Sequence, residues 1–136
     1  MSLRVMTYNV RYFANMAPVK GAASTRRGLR EISRAVANMA QLPHVICLQE
    51  IETRSLRSSL SHNPDTPNEN QIQSFMRALD AAMESAGRTH RFRAHYFPAH
   101  TYGVGRARLY TTGLAVLVRN DVRVKRHSPD PHDITH

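Results

Sequence analysis

The chain has 136 residues, 41% hydrophobic and 7% aromatic with no tryptophan, which suffices for one domain with one core and not for two, and its apolar runs fall far short of the ~20 residues of a membrane span. Lys and Arg number 19 against 10 acids, giving a net charge of +9 and a pI near 10.8, and 17 of the 19 are arginine. That balance favours polyanionic partners, nucleic acid or other phosphate-bearing substrates, since the arginine fork donates two hydrogen bonds to one phosphate; a solvated basic surface reflecting compositional bias stands beside it with equal weight.

Met1 to Val5 lead straight into a strand pattern with no hydrophobic leader, so a cytoplasmic protein is the default expectation. Leu3 to Val10 reads as the first strand, with Leu3, Val5 and Met6 apolar and Asn9 near its carboxyl end. Arg11 to Gly21 reads as a loop. Ser24 or Thr25 can cap a helix in which Leu29, Ile32, Ala35, Val36, Met39 and Ala40 follow the three-four spacing of one buried face. Arg26, Arg27, Arg30 and Arg34 occupy much of the other side, and arginines early in a helix oppose its dipole. Leu42-Pro43 ends this helix.

Val45, Ile46, Cys47, Leu48 and Ile51 read as a strand buried on both faces, since a one-sided strand would alternate. Cys47 is the single cysteine; it excludes an intramolecular disulfide and a multi-thiolate metal site, and its setting predicts an inert core thiol. A carboxylate at such a strand end is costly to desolvate unless paired, hydrogen-bonded or bound to a cation, and strand ends are where open α/β sheets put their chemistry. Glu50 is therefore the first candidate, against the plain alternative of a glutamate reaching water. Strand, helix and strand together suit a crossover unit.

Ile51 to Asn70 reads as an exposed loop rich in turn formers, placed to contact a substrate. Glu69 to Ala86 is the clearest helix, with Ile72, Phe75, Met76, Leu79, Ala82 and Met83 as its buried stripe and Gly87 as its C-terminal cap. Arg91 to Phe97 has strand composition and is expected to stop at Pro98. Ala99 to Tyr110 reads as a flexible basic loop whose glycines precede no helix, a poor dinucleotide fingerprint, with Arg106 and Arg108 as candidate phosphate contacts. Thr112 to Arg119 reads as a second buried strand, Asn120-Asp121 as a turn, and Val122 to Lys125 as a fifth, alternating strand. Arg126 to His136 is a polar tail.

Three of these segments resemble the endonuclease/exonuclease/phosphatase superfamily, with its deoxyribonuclease I-like fold. Arg4-Val5-Met6-Thr7-Tyr8-Asn9-Val10-Arg11 is similar to its opening strand, Val45 to Ile51 with its Gln49-Glu50 ending to its second, and Gly113 to Arg119 to a later one. The resemblance implies divalent-metal phosphoester hydrolysis, with Asn9 and Glu50 as catalytic and metal-holding residues for Mg2+ or Mn2+. The chemistry agrees, because Mg2+ takes only one or two protein carboxylates and keeps several waters. It implies an α/β fold, here the N-terminal half of a two-sheet α/β sandwich, with a mixed sheet and two main helices. Residues 1–125 would form a partial domain and 126–136 a tail leading to an absent C-terminal half.

The sequence also departs from the family pattern. The later histidine, the Gly-Asp-x-Asn segment and the terminal Asp-His pair are absent; Asp130, His132, Asp133 and His136 come too early in the family's order. A lone half would leave inner-sheet apolar surface uncovered, so a truncated piece, a homodimer and a marginally folded chain all remain open. The leading expectation is a catalytically incomplete Mg2+-dependent phosphoesterase, with nucleic acid slightly favoured as substrate. The alternatives are a non-catalytic basic nucleic-acid-binding module using the arginines named above, and a degenerate pseudo-enzyme.

Overall fold

The computed structural model describes residues 2–10, 22–55, 71–104 and 107–125. In chain order the elements are β1 (Val5–Asn9), α1 (Ala22–Ala37), β2 (Val45–Ser55), α2 (Gln71–Ser85), β3 (Phe92–Val104) and β4 (Ala107–Arg119). The strands form one mixed sheet in the order β1-β2-β4-β3. β1 and β2 run parallel, with Val5 opposite Val45 and Asn9 opposite Gln49, as a crossover through α1 requires. β4 is antiparallel to both β2 and β3. The α/β expectation, a mixed sheet with two helices, holds.

Helices and sheet share one core. Ile46, Leu48 and Ile51 of β2 and Ala115 and Leu117 of β4 are buried with Leu29 and Val36 of α1 and Ile72, Phe75, Leu79 and Met83 of α2. Each large side chain so buried contributes about 1.5–3 kcal/mol. β2 is nevertheless not buried on both faces: Val45 and Cys47 are half-buried and Gln49 is exposed. The reason is that the described helices cover one face only. On the other, Val5 is 58% and Leu114 47% exposed, and Cys47 is a half-buried free thiol rather than a core one.

Several boundaries differ from expectation. α1 begins at Ala22, so Ser24 and Thr25 lie inside the helix rather than at its cap, and it ends at Ala37. Its buried stripe is rotated toward Gly28, Leu29, Ser33, Val36 and Ala37, leaving Ala35, Met39 and Ala40 exposed. The early stop is met by a tertiary contact. Gly87, at φ +65°, lets the Gly87 and Arg88 amides return to the carbonyls of Glu84 and Met83 at 2.9 and 2.8 Å, closing α2 with the paired bonds of a left-handed cap. Arg88 then donates to the carbonyls of Ala37 and Met39 at 3.1 and 2.7 Å, ending α1 with a cation at its negative pole.

The stretch after Ile51 is strand, not loop, as far as Ser55, because β4 supplies partners for Glu52, Arg54 and Ser55; residues 56–70 lie outside the described residues. β3 does not stop at Pro98. It is an edge strand, where proline's missing N–H is tolerated, and it absorbs the residue in a register shift between Pro98 and His100. The expected loop 99–110 is therefore mostly a long hairpin. Val122 to Lys125 is not a strand: the Val122 amide turns back to the Arg119 carbonyl at 2.9 Å.

A polar junction ties the opposite end of the sheet. The Arg4 amide donates to His44 Nδ1 at 2.9 Å, the His44 amide to the Arg4 carbonyl at 2.8 Å, and the Arg119 amide to the His44 carbonyl at 2.9 Å. The buried Arg119 guanidinium holds both oxygens of Asp121 at 2.6 and 2.7 Å and donates to the Leu42 carbonyl at 3.2 Å. Burial, then the Arg119 and Arg4 charges, pushes the His44 imidazole below its ordinary value. The Arg119 hydrogen bond holds the Asp121 carboxyl down at about 2.

Both depressed values make the folded state bind fewer protons than the unfolded one, so stability falls with falling pH. His44 contributes fully above about 6.5 and its share is lost as pH drops below that; the Asp121 share goes between about 4 and 2. Urea midpoints measured from pH 8 to 5 are expected to fall, and His44→Gln, which keeps an acceptor but does not titrate, to flatten that slope. Ser33 is fully buried with its hydroxyl oxygen unbonded among the described residues. Ser33→Ala removes that penalty, and thermal melting should show a gain of about 1 kcal/mol.

Candidate active site at the end of β1 and the bulge of β2

Register brings the site residues together. Asn9 closes β1 beside Gln49 of β2, and the Val10 amide donates to the Gln49 carbonyl at 3.0 Å. Between Leu48 and Ile51, β2 advances three residues while β4 advances two, from Ala115 to Gly113. This one-residue bulge contains Glu50 at φ +57°, a left-handed conformation that costs a non-glycine residue about 1–2 kcal/mol. An unbulged strand would turn Glu50 toward the helices and Ile51 away, because side chains alternate. The bulge reverses that parity: Ile51 is fully buried, and Glu50 is half-buried beside β1.

There the Asn9 Nδ2 donates to Glu50 Oε1 at 2.8 Å. No cation pairs with Glu50 among the described residues, and its second oxygen has no partner among them. The pair offers hard oxygens, a carboxylate and an amide carbonyl, of the kind Mg2+ or Mn2+ accepts. The pair suits a cation that takes few protein ligands and keeps several waters; no group of three His, Cys, Asp or Glu side chains comes together among the described residues.

Two neighbours were not singled out from sequence. Gln49 Nε2 reaches Thr7 Oγ1 at 3.5 Å, joining the strands one rung behind Asn9; the period-two spacing of Thr7 and Asn9 is the signal that could have found it. Gly113 pairs with Ile51 immediately after the bulge, and a side chain there would collide with the Phe97 carbonyl and the Tyr96 ring. Among the candidate substrate residues, Arg108 falls opposite Gly103 in the β3–β4 hairpin, which projects past this end of the sheet. Arg106, Asp130, His132, Asp133 and His136 lie outside the described residues. A cleft of about 510 Å³ lined by Arg93, His95, Arg119 and Arg123 is at the other end, four residues or about 13 Å along β2.

A mixed sheet layered by helices, with an amide at the carboxyl end of β1 meeting a carboxylate at a bulge inside β2, defines an α/β protein; Glu50 was expected to end its strand, but β2 runs on past it to Ser55 because β4 pairs with the residues beyond the bulge. The chain belongs to the endonuclease/exonuclease/phosphatase family, whose model matches residues 6–136. Its fold is similar to that of an endonuclease/exonuclease/phosphatase family protein from Leptotrichia buccalis C-1013-b, with a TM-score of 0.51 and 18% identity over 86% of this chain. The chain spans 37% of that protein's length. No curated protein matches it. Among the described residues no helix is long and apolar enough to cross a membrane.

The backbone at Glu50 orders substitutions in a way the side chain alone would not. Glu50→Gly should match or exceed the wild type in urea denaturation, and Glu50→Val, β-branched and ill-suited to positive φ, should fall below Glu50→Gly by about 2 kcal/mol.

Proposed function

We propose that this chain carries the metal-holding part of a divalent-cation-dependent phosphoester hydrolase, with Glu50 as the Mg2+ or Mn2+ ligand and Asn9 as the residue that orients it. The observation that supports the reading is the 2.8 Å bond between the two side chains where β1 ends beside β2, made possible by the bulge that carries Glu50 out of the core. Asn9 holds one carboxylate oxygen through its amide N–H, which leaves the other carboxylate oxygen to face a cation and its waters. A bound cation would offset charge developing on the phosphoryl oxygens. Arg108, on the hairpin beyond the site, with Arg106, is proposed to contact substrate phosphate.

Family membership makes a phosphate-bearing substrate the class to test, and the +9 charge tilts the choice to nucleic acid. Residues 1–125 are proposed as a partial domain, with 126–136 as its exit, and the rest of a catalytic constellation as a separate contribution. A homodimer is the alternative source of cover for the open sheet face.

Calorimetric titration of the 136-residue chain with MgCl2 is expected to show weak binding that Glu50→Gln abolishes and Asn9→Ala weakens about tenfold. Turnover of a generic phosphodiester is expected to be negligible. Robust hydrolysis abolished by Glu50→Gln would sink the incompleteness, and unchanged Mg2+ binding in Glu50→Gln would sink the site.

A further inference from the structure

We propose that the solvent face of α1 is a binding surface for the backbone of a nucleic-acid duplex, with Arg26, Arg30 and Arg34 each taking a phosphate. The inference is independent of the hydrolytic reading, because this face belongs to the helix layer rather than to the sheet that carries Asn9 and Glu50.

The three arginines recur every fourth residue and are all exposed. At 1.5 Å and 100° per residue they form one column about 12 Å long. Over that length a duplex presents about seven phosphate charges. The fourth arginine of the helix, Arg27, is occupied by Glu31 at 2.7 Å. Arg26, Arg30 and Arg34 have no side-chain hydrogen bond or ion pair among the described residues. Three unpaired like charges at this spacing repel one another, although Arg34, in the last turn of α1, is well placed at the helix's negative pole. A polyanion laid along the column would remove the mutual repulsion.

The alternatives fit the same face less well. From Arg26 to Asn38 the exposed positions of α1 carry no large apolar side chain, so an interfacial helix would lack its apolar anchor. No aromatic side chain lies between the arginines for an unpaired base to stack on, which points to a duplex backbone rather than a single strand. Guanidinium forks suit bidentate contact with phosphate oxygens.

The test is fluorescence anisotropy of a labelled 20-base-pair DNA duplex with the full chain, without divalent metal, over a NaCl series. Neutralising Arg26→Gln, Arg30→Gln and Arg34→Gln together is expected to make the slope of log K against log salt shallower by about 2.7, at 0.9 for each lost phosphate contact. Should the triple variant fold poorly, Arg30→Gln with Arg34→Gln is expected to lose about 1.8 from the slope. Arg93→Gln, Arg123→Gln and Lys125→Gln remove the same charge away from α1 and should change the slope clearly less. Equal loss in both triple variants overturns the proposal, leaving only net charge. So does binding to phosphatidylserine vesicles that the α1 variant loses while duplex binding is unchanged. Glu50→Gln should leave duplex binding as it is, so failure of the metal site and failure of this surface are read separately.

Discussion

The extra residue in β2 between Leu48 and Ile51 is the constraint on which the site depends. Three apolar side chains, Ile46, Leu48 and Ile51, are fully buried against the helices, yet their spacing is two and then three. A regular strand cannot satisfy that, so one residue must be accommodated out of register. Glu50 is that residue, at φ +57°. Its strain of about 1–3 kcal/mol is comparable with what burial of Ile51 contributes, about 1.5–3 kcal/mol. The Asn9–Glu50 bond, made to a half-buried carboxylate, adds about 1–2 kcal/mol. Core packing dictates that Glu50 leaves the register, and the bond to Asn9 adds to its hold on the carboxylate.

The surrounding structure works to keep that rung fixed. At the far end of the sheet, His44 joins β1 to β4 through three hydrogen bonds involving Arg4 and Arg119, so both neighbours of β2 are pinned before the bulge is reached. Beside the bulge, Gly113 allows β3 to close against β4, and the helices are locked to each other where Arg88 finishes α1. The strained residue sits between two well-determined regions, the setting in which an unfavourable backbone conformation persists.

One face of the sheet is covered and the other is not, among the described residues. Val5, Leu114 and the half-buried Val45, Cys47 and Val116 lie on the open face, and Asn9 belongs to the same side by register. The site thus stands at the rim of an apolar surface rather than inside a closed pocket. The chain spans 37% of the Leptotrichia protein's length.

Local chemistry in the sequence determined the elements that need no distant partner. The stripe of α2 from Ile72 to Met83, its glycine cap, and the apolar runs of β2 and β4 were legible because periodicity and backbone preference act over a few residues. Glu50 could be named as a candidate because a carboxylate follows an apolar run, and Asn9 through the resemblance that its strand bears to the family. Tertiary structure alone decided the rest. The polar run Glu52 to Ser55 becomes strand because β4 offers it a ladder; Pro98 is carried because β3 is an edge; and the carbonyls left free where α1 stops at Ala37 are satisfied by Arg88, 51 residues away. The bulge belongs to the same group: whether Glu50 faces the helices or β1 depends on which face the sheet buries, and no nine-residue window contains that information.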